Sequence, residues 1–257
     1  MGEFTGKIAL VTGTTGIARA TALHLAREGA EVTCLGIDET ANAALREADQ
    51  RLHVRRTDVA APSEVEAAFA ELEARSGGLD VIVNSAAVHP YGDAVSTDHE
   101  TFMRCLAVNV GSIHLTARSG VPLMRRRGGG AIVNLSSVQG SACQPNVAAY
   151  VASKGAIHAL TRAMALDFAP DRIRVVSVSP GSVRTPILEL AARTFDGPDT
   201  DVEAVFRRFG EAHPIGRIGE PEEIAALVAF LASERAGFIT GSDHRIDGGL
   251  LAGIGVR

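Results

Sequence analysis

Short apolar runs alternate with helical segments along the whole chain, and several of those runs have no polar face. Val81-Ile-Val83 and Ala131-Ile-Val133 are apolar at every position. A strand buried on both sides needs a cover on each, and helices supply it when strands run parallel. The strand-like runs are Lys7–Thr12, Glu31–Leu35, Leu52–Asp58, Leu79–Asn84, Gly130–Ser136, Ile173–Ser179 and Asp243–Ile246. Between them, apolar residues at helical spacing mark Gly16–Glu28, Ser63–Arg75, a broken stretch over Asp98–Arg126, Ala148–Phe168 and Glu222–Ser233. This alternation predicts an α/β fold: a doubly wound parallel sheet of about seven strands with helices on both faces.

No break in composition divides the 257 residues, so the reading is one domain over 1–257. Residues 186–217 are irregular: "TFDGPDTD" reads as a loop between two short amphipathic pieces. An insertion that late in such a fold is placed to cover a ligand at the carboxyl ends of the strands. Hydrophobic residues at 46% supply a sizeable core, and a net charge of −5 speaks against nucleic acid as a partner. The one basic run, Arg125-Arg-Arg127, precedes Gly128-Gly-Gly130 and reads as a helix end. Cys34, Cys105 and Cys143 form no close pair, and the eight histidines show no metal-ligand spacing, so neither disulfides nor a metal are expected. The chain opens without a basic-then-apolar leader and has no membrane-length apolar run; the expectation is a cytoplasmic protein off the membrane.

The stretch "LVTGTTGIARAT" joins the first strand to the first helix. Glycines there let the backbone turn tightly and approach a pyrophosphate, while the helix N-terminus offers free N–H groups to the anion. Gly13 and Gly16 are placed for this, and Ala18 adds only a methyl where a third glycine is usual. A glycine pair alone also fits a plain strand-to-helix turn. Asp38, some twenty residues on, is positioned for a ribose hydroxyl, and Asp58-Val59 ends the third strand at the same sheet edge. "LGIDET" offers no cation for a 2′-phosphate and carries two carboxylates that repel one, which favours NAD over NADP. Arg19 is the remote cation that would reverse the preference.

Ser136–Lys154 is the most informative stretch. Tyr150 and Lys154 stand four apart and so share a helix face. Ser137 ends a buried strand at the ligand-binding edge. The chain has two lysines among 25 basic residues, so a lysine kept here points to a need for a compact ammonium.

With these residues in view, the chain resembles the short-chain dehydrogenase/reductase family over essentially its whole length, with a Rossmann-type sheet implied. The likeness rests on the glycine loop, Asp58-Val59, "NSAA" (Asn84–Ala87), Asn109, Ser137, Tyr150-x-x-x-Lys154, "PGSVRTP" (Pro180–Pro186) and "ITGSDHRIDGG". The resemblance implies that Tyr150 is the general acid/base on the substrate oxygen. A phenol of pKa about 10 must be lowered to serve near neutrality, and Lys154 would do this while holding the nicotinamide ribose. Ser137 would donate to the substrate oxygen, and Asn109 would place a water linking Lys154 to solvent. Cofactor contacts are implied for Gly13, Thr15, Gly16, Ile17, Asp38, Asp58, Val59, Asn84, Ala86, Pro180, Gly181, Val183 and Thr185, together with Tyr150 and Lys154. A homotetramer is implied as well; the apolar stripe Ala148–Leu166 and the apolar tail Leu250–Val256 are compatible with it. The chain departs from the usual pattern in three places. Only Thr14 and Thr15 separate the first two glycines; Ser85 and Ala87 replace the usual Asn and Gly; and Gly36-Ile37 stands where the cofactor-selecting Asp or Arg is usual.

In this family the pocket walls come from three segments, which here hold His89 and Tyr91, then Gln139, Cys143, Gln144 and Asn146, then Leu188, Phe206 and His213. His89, Gln139, Gln144, Asn146 and His213 are the candidate substrate contacts, and so polar a set suits a small polar molecule. The likeness extends to bacterial sugar and polyol dehydrogenases. The expected function is NAD(P)-dependent hydride transfer with a secondary alcohol or ketone, such as a sugar or polyol. The alternatives are a 3-oxoacyl-thioester (acyl carrier protein) reductase and a dinucleotide-binding protein without turnover.

Overall fold

The computed structural model describes residues 2–253. Seven strands alternate with nine α-helices across them. The first half runs β1 (Ile8–Thr12), α1 (Gly16–Arg27), β2 (Glu31–Gly36), α2 (Glu39–Ala48), β3 (Leu52–Arg56), α3 (Pro62–Ser76) and β4 (Val81–Asn84). Next come α4 (His99–Leu106), a single π-helical turn at Ala107–Gly111, α5 (Ser112–Arg127), β5 (Gly130–Leu135), α6 (Ala148–Phe168) and β6 (Ile173–Pro180). Helices α7 (Pro186–Asp196), α8 (Val202–Glu211) and α9 (Pro221–Ala232) then lead to β7 (Asp243–Ile246).

All pairings are parallel, in the order β3-β2-β1-β4-β5-β6-β7. The pleat sends alternate residues to opposite faces, and both faces are covered. Ala9 and Val11 of β1 join a core with Leu25 of α1, Leu45 of α2 and Val228 of α9. Ile8 and Leu10 join another with Phe69 of α3, Val121 of α5 and Ile157 of α6. Sequence order runs outward in both directions from the β1–β4 boundary, so the crevice at the carboxyl ends opens there.

Local chemistry sets the element ends. Pro62 and Pro221 open α3 and α9, where a missing N–H costs nothing, and left-handed Gly77 and Gly128 close α3 and α5. The arginines at the end of α5 each find a carboxylate: Arg125 with Asp171, Arg126 with Glu73, and Arg127 with the buried Asp80. Asp80 also accepts the Ile8 N–H at 2.8 Å, which ties this helix end to the first strand.

Two details differ from the sequence expectation. Helix α2 is not foreshadowed by apolar periodicity, because only Asn42 and Leu45 of its residues are buried. Strand β3 stops at Arg56, since Asp58 turns the chain by accepting the Ala60 N–H. The stretch expected as a broken helix is indeed divided, by the π turn, into α4 and α5. The irregular region resolves into α7 and α8, packed through Ala192, Val205, Phe206 and Ile218 into a small core of their own. No helix among the described residues is long and apolar enough to cross a membrane. Of the apolar tail Leu250–Val256, residues 254–256 lie outside the described residues.

Candidate active site

One crevice of about 750 Å³ crosses the carboxyl edge of the sheet. It runs from Ile37, Asp38 and Asp58, past Gly13–Ala18, to Ser137, Tyr150 and Gly181, with α7 above its far end. The volume falls in the range of small-molecule and cofactor sites.

The short glycine loop is built tightly. Gly13 takes a φ of +94° while its N–H donates to Leu35 O at 2.7 Å, and Gly16 opens α1 at a φ of +49°. Thr15 caps α1 with no side-chain hydrogen bond, and the first turn holds no acidic residue. The N–H groups of that turn therefore keep their capacity for an anion, and Gly16, Ile17 and Ala18 line the crevice. Thr12 Oγ1 accepts the N–H groups of Ser85 (3.0 Å) and Ala86 (3.1 Å), so the altered "NSAA" segment is still fastened to the end of β1.

The two-residue loop also accounts for Gly36. A Cβ there would lie 2.4 Å from Thr14 Oγ1 and 2.6 Å from Asn42 Oδ1. The side chains of Thr14 and Asn42 crowd the end of β2, and any side chain at position 36 would have to displace them. The nearest carboxylate on the crevice wall is Asp38, whose Oδ1 caps α2 by accepting from Thr40 and Ala41 while Oδ2 makes no protein hydrogen bond. Arg104 lines this end too, 3.0 Å from Asp58.

At the other end, Ser137 follows β5, and its oxygen accepts the Gln139 N–H at 3.1 Å. Its own proton is left to donate. Tyr150 and Lys154 occupy the first turns of α6, with Nζ 5.3 Å from the tyrosine ring centroid. Lys154 lies behind the tyrosine, is buried, and donates to Leu135 O at 2.8 Å. Asn109 sits on the π turn, a distortion that recurs at functional sites. Its amide donates to Ser153 Oγ (2.9 Å) and Val88 O (3.0 Å) and accepts the Val88 N–H (2.9 Å). Asn109 thus clamps the loop after β4 to α6, one residue from His89.

Burial dominates the electrostatics. It pushes the Tyr150 phenol above its ordinary value, against the opposing influence of the Ser137 hydroxyl. It pulls the Lys154 ammonium down to about 8. Taking the phenolate out of water is the largest influence on this phenol. Burial, helped by Lys154, also holds His89 at about 4, so its imidazole is neutral near pH 7.

Most of the anticipated residues border the crevice: Gly13, Thr15, Gly16, Ile17, Asp38, Asp58, Val59, Ala86, Pro180, Gly181, Val183 and Thr185 at the cofactor positions, and His89, Gln139 and Gln144 near Tyr150. Asn84 does not reach it. Its side chain accepts from Thr116 at 2.8 Å and donates to Asn134 at 2.9 Å, bracing the sheet from within. Asn146 is no pocket residue either; it is exposed at a φ of +61° and makes the turn into α6, with its carbonyl accepting the Gly92 N–H. His213 is buried with both nitrogens engaged, Nδ1 donating to Phe209 O at 3.0 Å and Nε2 accepting the Ser182 N–H at 3.1 Å. That fixes its neutral tautomer and makes it a brace for the Pro180–Ser182 segment. Phe206 faces the small core of α7 and α8. Arg104, Phe195, Leu250 and Leu251 line the crevice without having been foreseen, since no local motif marks them.

A doubly wound sheet whose crevice joins an uncapped helix N-terminus to a Ser–Tyr–Lys cluster defines an α/β protein of the dinucleotide-fold class. A family model described as enoyl-(acyl carrier protein) reductase matches residues 11–251. The 2-keto-3-deoxy-L-fuconate dehydrogenase of Xanthomonas campestris pv. campestris is 36% identical over 246 residues, covering 95% of this chain and 80% of that protein. The cis-4-hydroxycyclohexanecarboxylate dehydrogenase of Sinomonas cyclohexanicum is 37% identical over 98% of this chain and 100% of its own length. The structure of the aldohexose dehydrogenase of Thermoplasma acidophilum superposes with a TM-score of 0.93 at 34% identity, covering 100% of this chain and 98% of that one. The chain belongs to the short-chain dehydrogenase/reductase family and is an oxidoreductase.

Proposed function

We propose that the protein transfers a hydride between NAD and a secondary alcohol or ketone of the sugar, polyol or small polar class. The observation that carries this reading is the Ser137–Tyr150–Lys154 cluster at the end of a crevice whose other end suits a dinucleotide. The uncapped first turn of α1 would hold the pyrophosphate, Asp38 the adenosine ribose, and the Pro180–Thr185 segment the nicotinamide end. The nicotinamide supplies the acceptor or donor of hydride. Ser137 donates its free proton to the substrate oxygen, and Tyr150 takes that oxygen's proton in oxidation or returns it in reduction. Lys154, held by Leu135 O, keeps a positive charge behind the phenol and favours its ionised form. A homotetramer belongs to the same proposal. Its support is the four-residue edge strand β7 and the fully exposed Phe238 beside it, and light scattering in solution tests it.

The preference for NAD over NADP is supported by Asp38, a carboxylate lining the crevice near the end of β2 that would repel a 2′-phosphate, and by the crowding of position 36 by Thr14 and Asn42. Repulsion between close charges is worth about 1–4 kcal/mol, so Asp38→Ser, which keeps a capping oxygen, is expected to lower the NAD-to-NADP ratio of kcat/KM by about tenfold or more. A screen of reduced-nicotinamide absorbance, with NAD and NADP separately against sugars, polyols and simple secondary alcohols, tests the whole reading. Turnover confined to acyl thioesters with NADPH would contradict it.

A further inference from the structure

Helix α6 carries a third polar residue in line with Tyr150 and Lys154. His158 stands four residues beyond the lysine on the same helix face, and the proton transfer makes no use of it. Its neighbours come from both sides of the reacting end of the crevice. A Cβ on Gly140 would lie 2.6 Å from His158 Cε1 and 2.9 Å from Lys154 O, so the turn that follows Ser137 rests directly on the imidazole and on α6. On the other side, His158 Nε2 is 3.0 Å from Ser179 Oγ of β6 and 3.4 Å from Asp243 Oδ1 of β7. Ser179 directly precedes Pro180 and Gly181, which line the crevice.

Counting protons fixes how these groups are joined. Asp243 Oδ1 accepts from Ser177 Oγ at 2.7 Å and from Ser179 Oγ at 2.8 Å. Burial works against the Asp243 charge, but hydrogen bonds from His158, Ser177 and Ser179 outweigh it and hold the carboxyl below its ordinary value. The carboxylate is therefore ionised and can only accept. A hydroxyl has one proton, and Ser179 gives its own to Asp243, so in the remaining contact Nε2–H donates to Ser179 Oγ. Serine, histidine and aspartate are the residue types of a hydrolytic triad, yet here serine and carboxylate meet the same ring nitrogen and the serine is fully buried. The cluster is built as a brace.

Resting on the nicotinamide reading above, we infer that His158 is a positioning residue: through Ser179 and Asp243 it sets the gap between the Ser137–Tyr150 wall and the Pro180–Thr185 segment. In that reading the nicotinamide ring is held in this gap, with the acid/base on one side and the segment on the other. Both must meet one substrate, and a displacement of about 1 Å is costly to such an arrangement. The adenosine end is built on other residues, Asp38, Asp58 and Arg104, which stand apart from the brace. Loosening the brace therefore acts on the nicotinamide half of the cofactor and spares the adenosine half.

The test compares the affinities of NADH and of ADP-ribose, which lacks the nicotinamide ring, by titration calorimetry. Wild type is expected to bind NADH the more tightly. His158→Leu removes the donor, and the NADH-to-ADP-ribose affinity ratio should fall about tenfold, the worth of one buried hydrogen bond. ADP-ribose affinity itself should stay within about threefold of wild type. Ser179→Ala cuts the same link by deleting a single buried oxygen, and it should lower the ratio in the same direction even where His158→Leu fails to fold. His158→Gln, whose amide nitrogen restores a donor, should bring the ratio back to within about threefold of wild type. A wild-type ratio in Ser179→Ala, or an equal loss on both ligands, would make the cluster a plain support of the fold and overturn the inference. So would a His158→Gln protein no better than His158→Leu. A wild type that binds ADP-ribose as tightly as NADH would instead remove the nicotinamide reading on which the inference rests.

Discussion

Tyr150→Phe is expected to lower kcat by about 10²–10⁴-fold, the range a positioned proton donor or acceptor contributes. The substitution removes one oxygen and little else. The ring keeps its stack on His89 at 3.9 Å and its place over Lys154 at 5.3 Å, so the wall of the crevice stands. In the proposed arrangement the dinucleotide is held mainly by the glycine loop and the Pro180–Thr185 segment, so NADH affinity by fluorescence titration should stay within about threefold of wild type. The phenol is buried and pushed above its ordinary value, so deleting it removes a polar group that folding does not favour. The variant should therefore melt no lower than wild type. Turnover within tenfold of wild type would mean that another group moves the proton.

Lys154→Met addresses the buried cation. Burial lowers the ammonium from 10.5 to about 8, a gap equivalent to about 3 kcal/mol. Below pH 8 the folded and unfolded chains both carry the charge, and the folded chain alone bears its desolvation. Between pH 8 and 10.5 the unfolded chain binds more protons than the folded one, so wild-type stability climbs with pH. Above 10.5 both states are neutral and the gain is complete. Methionine has no charge to titrate, and the other groups act alike in both proteins. The unfolding free energy of wild type minus that of Lys154→Met should thus rise by about 3 kcal/mol from pH 7.5 to 10.5, as read by urea denaturation across that range. A difference that stays flat would show that the lysine is solvated. Activity should fall with the same substitution, because the phenolate loses the positive charge that supports it, and the pH profile for alcohol oxidation should move to higher pH.

The strands and the Tyr150–Lys154 pair were legible because their signals are local: doubly apolar runs for the first, a four-residue helical spacing for the second. Helix α2 was hidden for a physical reason. It rests on the sheet through two buried residues, one of them the polar Asn42, so no apolar stripe marks it. Its other marker, the capping oxygen of Asp38, was legible only as a ribose ligand, and the residue serves as a cap whatever it binds. Asn84, Asn146 and His213 carry groups suited to ligands, yet their polar atoms or backbone meet the protein's own needs in the sheet, a left-handed turn and a loop brace. Such uses depend on partners far away in sequence. The same is true of the ladder from Tyr150 through His89 and Tyr91 to Phe195, which joins three separate segments. The direction of the Tyr150 shift could not be read from a Tyr-x-x-x-Lys spacing either, because it turns on burial, and burial belongs to the assembled fold.

The most direct measurement follows a labelled atom. Wild-type protein is incubated with NAD and a cyclic secondary alcohol bearing deuterium on its carbinol carbon, and the reduced nicotinamide is then isolated and weighed by mass spectrometry. Hydride transfer in the crevice predicts one deuterium in each reduced ring, and none from that carbon when Tyr150 is replaced by Phe and turnover is lost. Reduced nicotinamide free of the label, formed at the wild-type rate, would contradict the account.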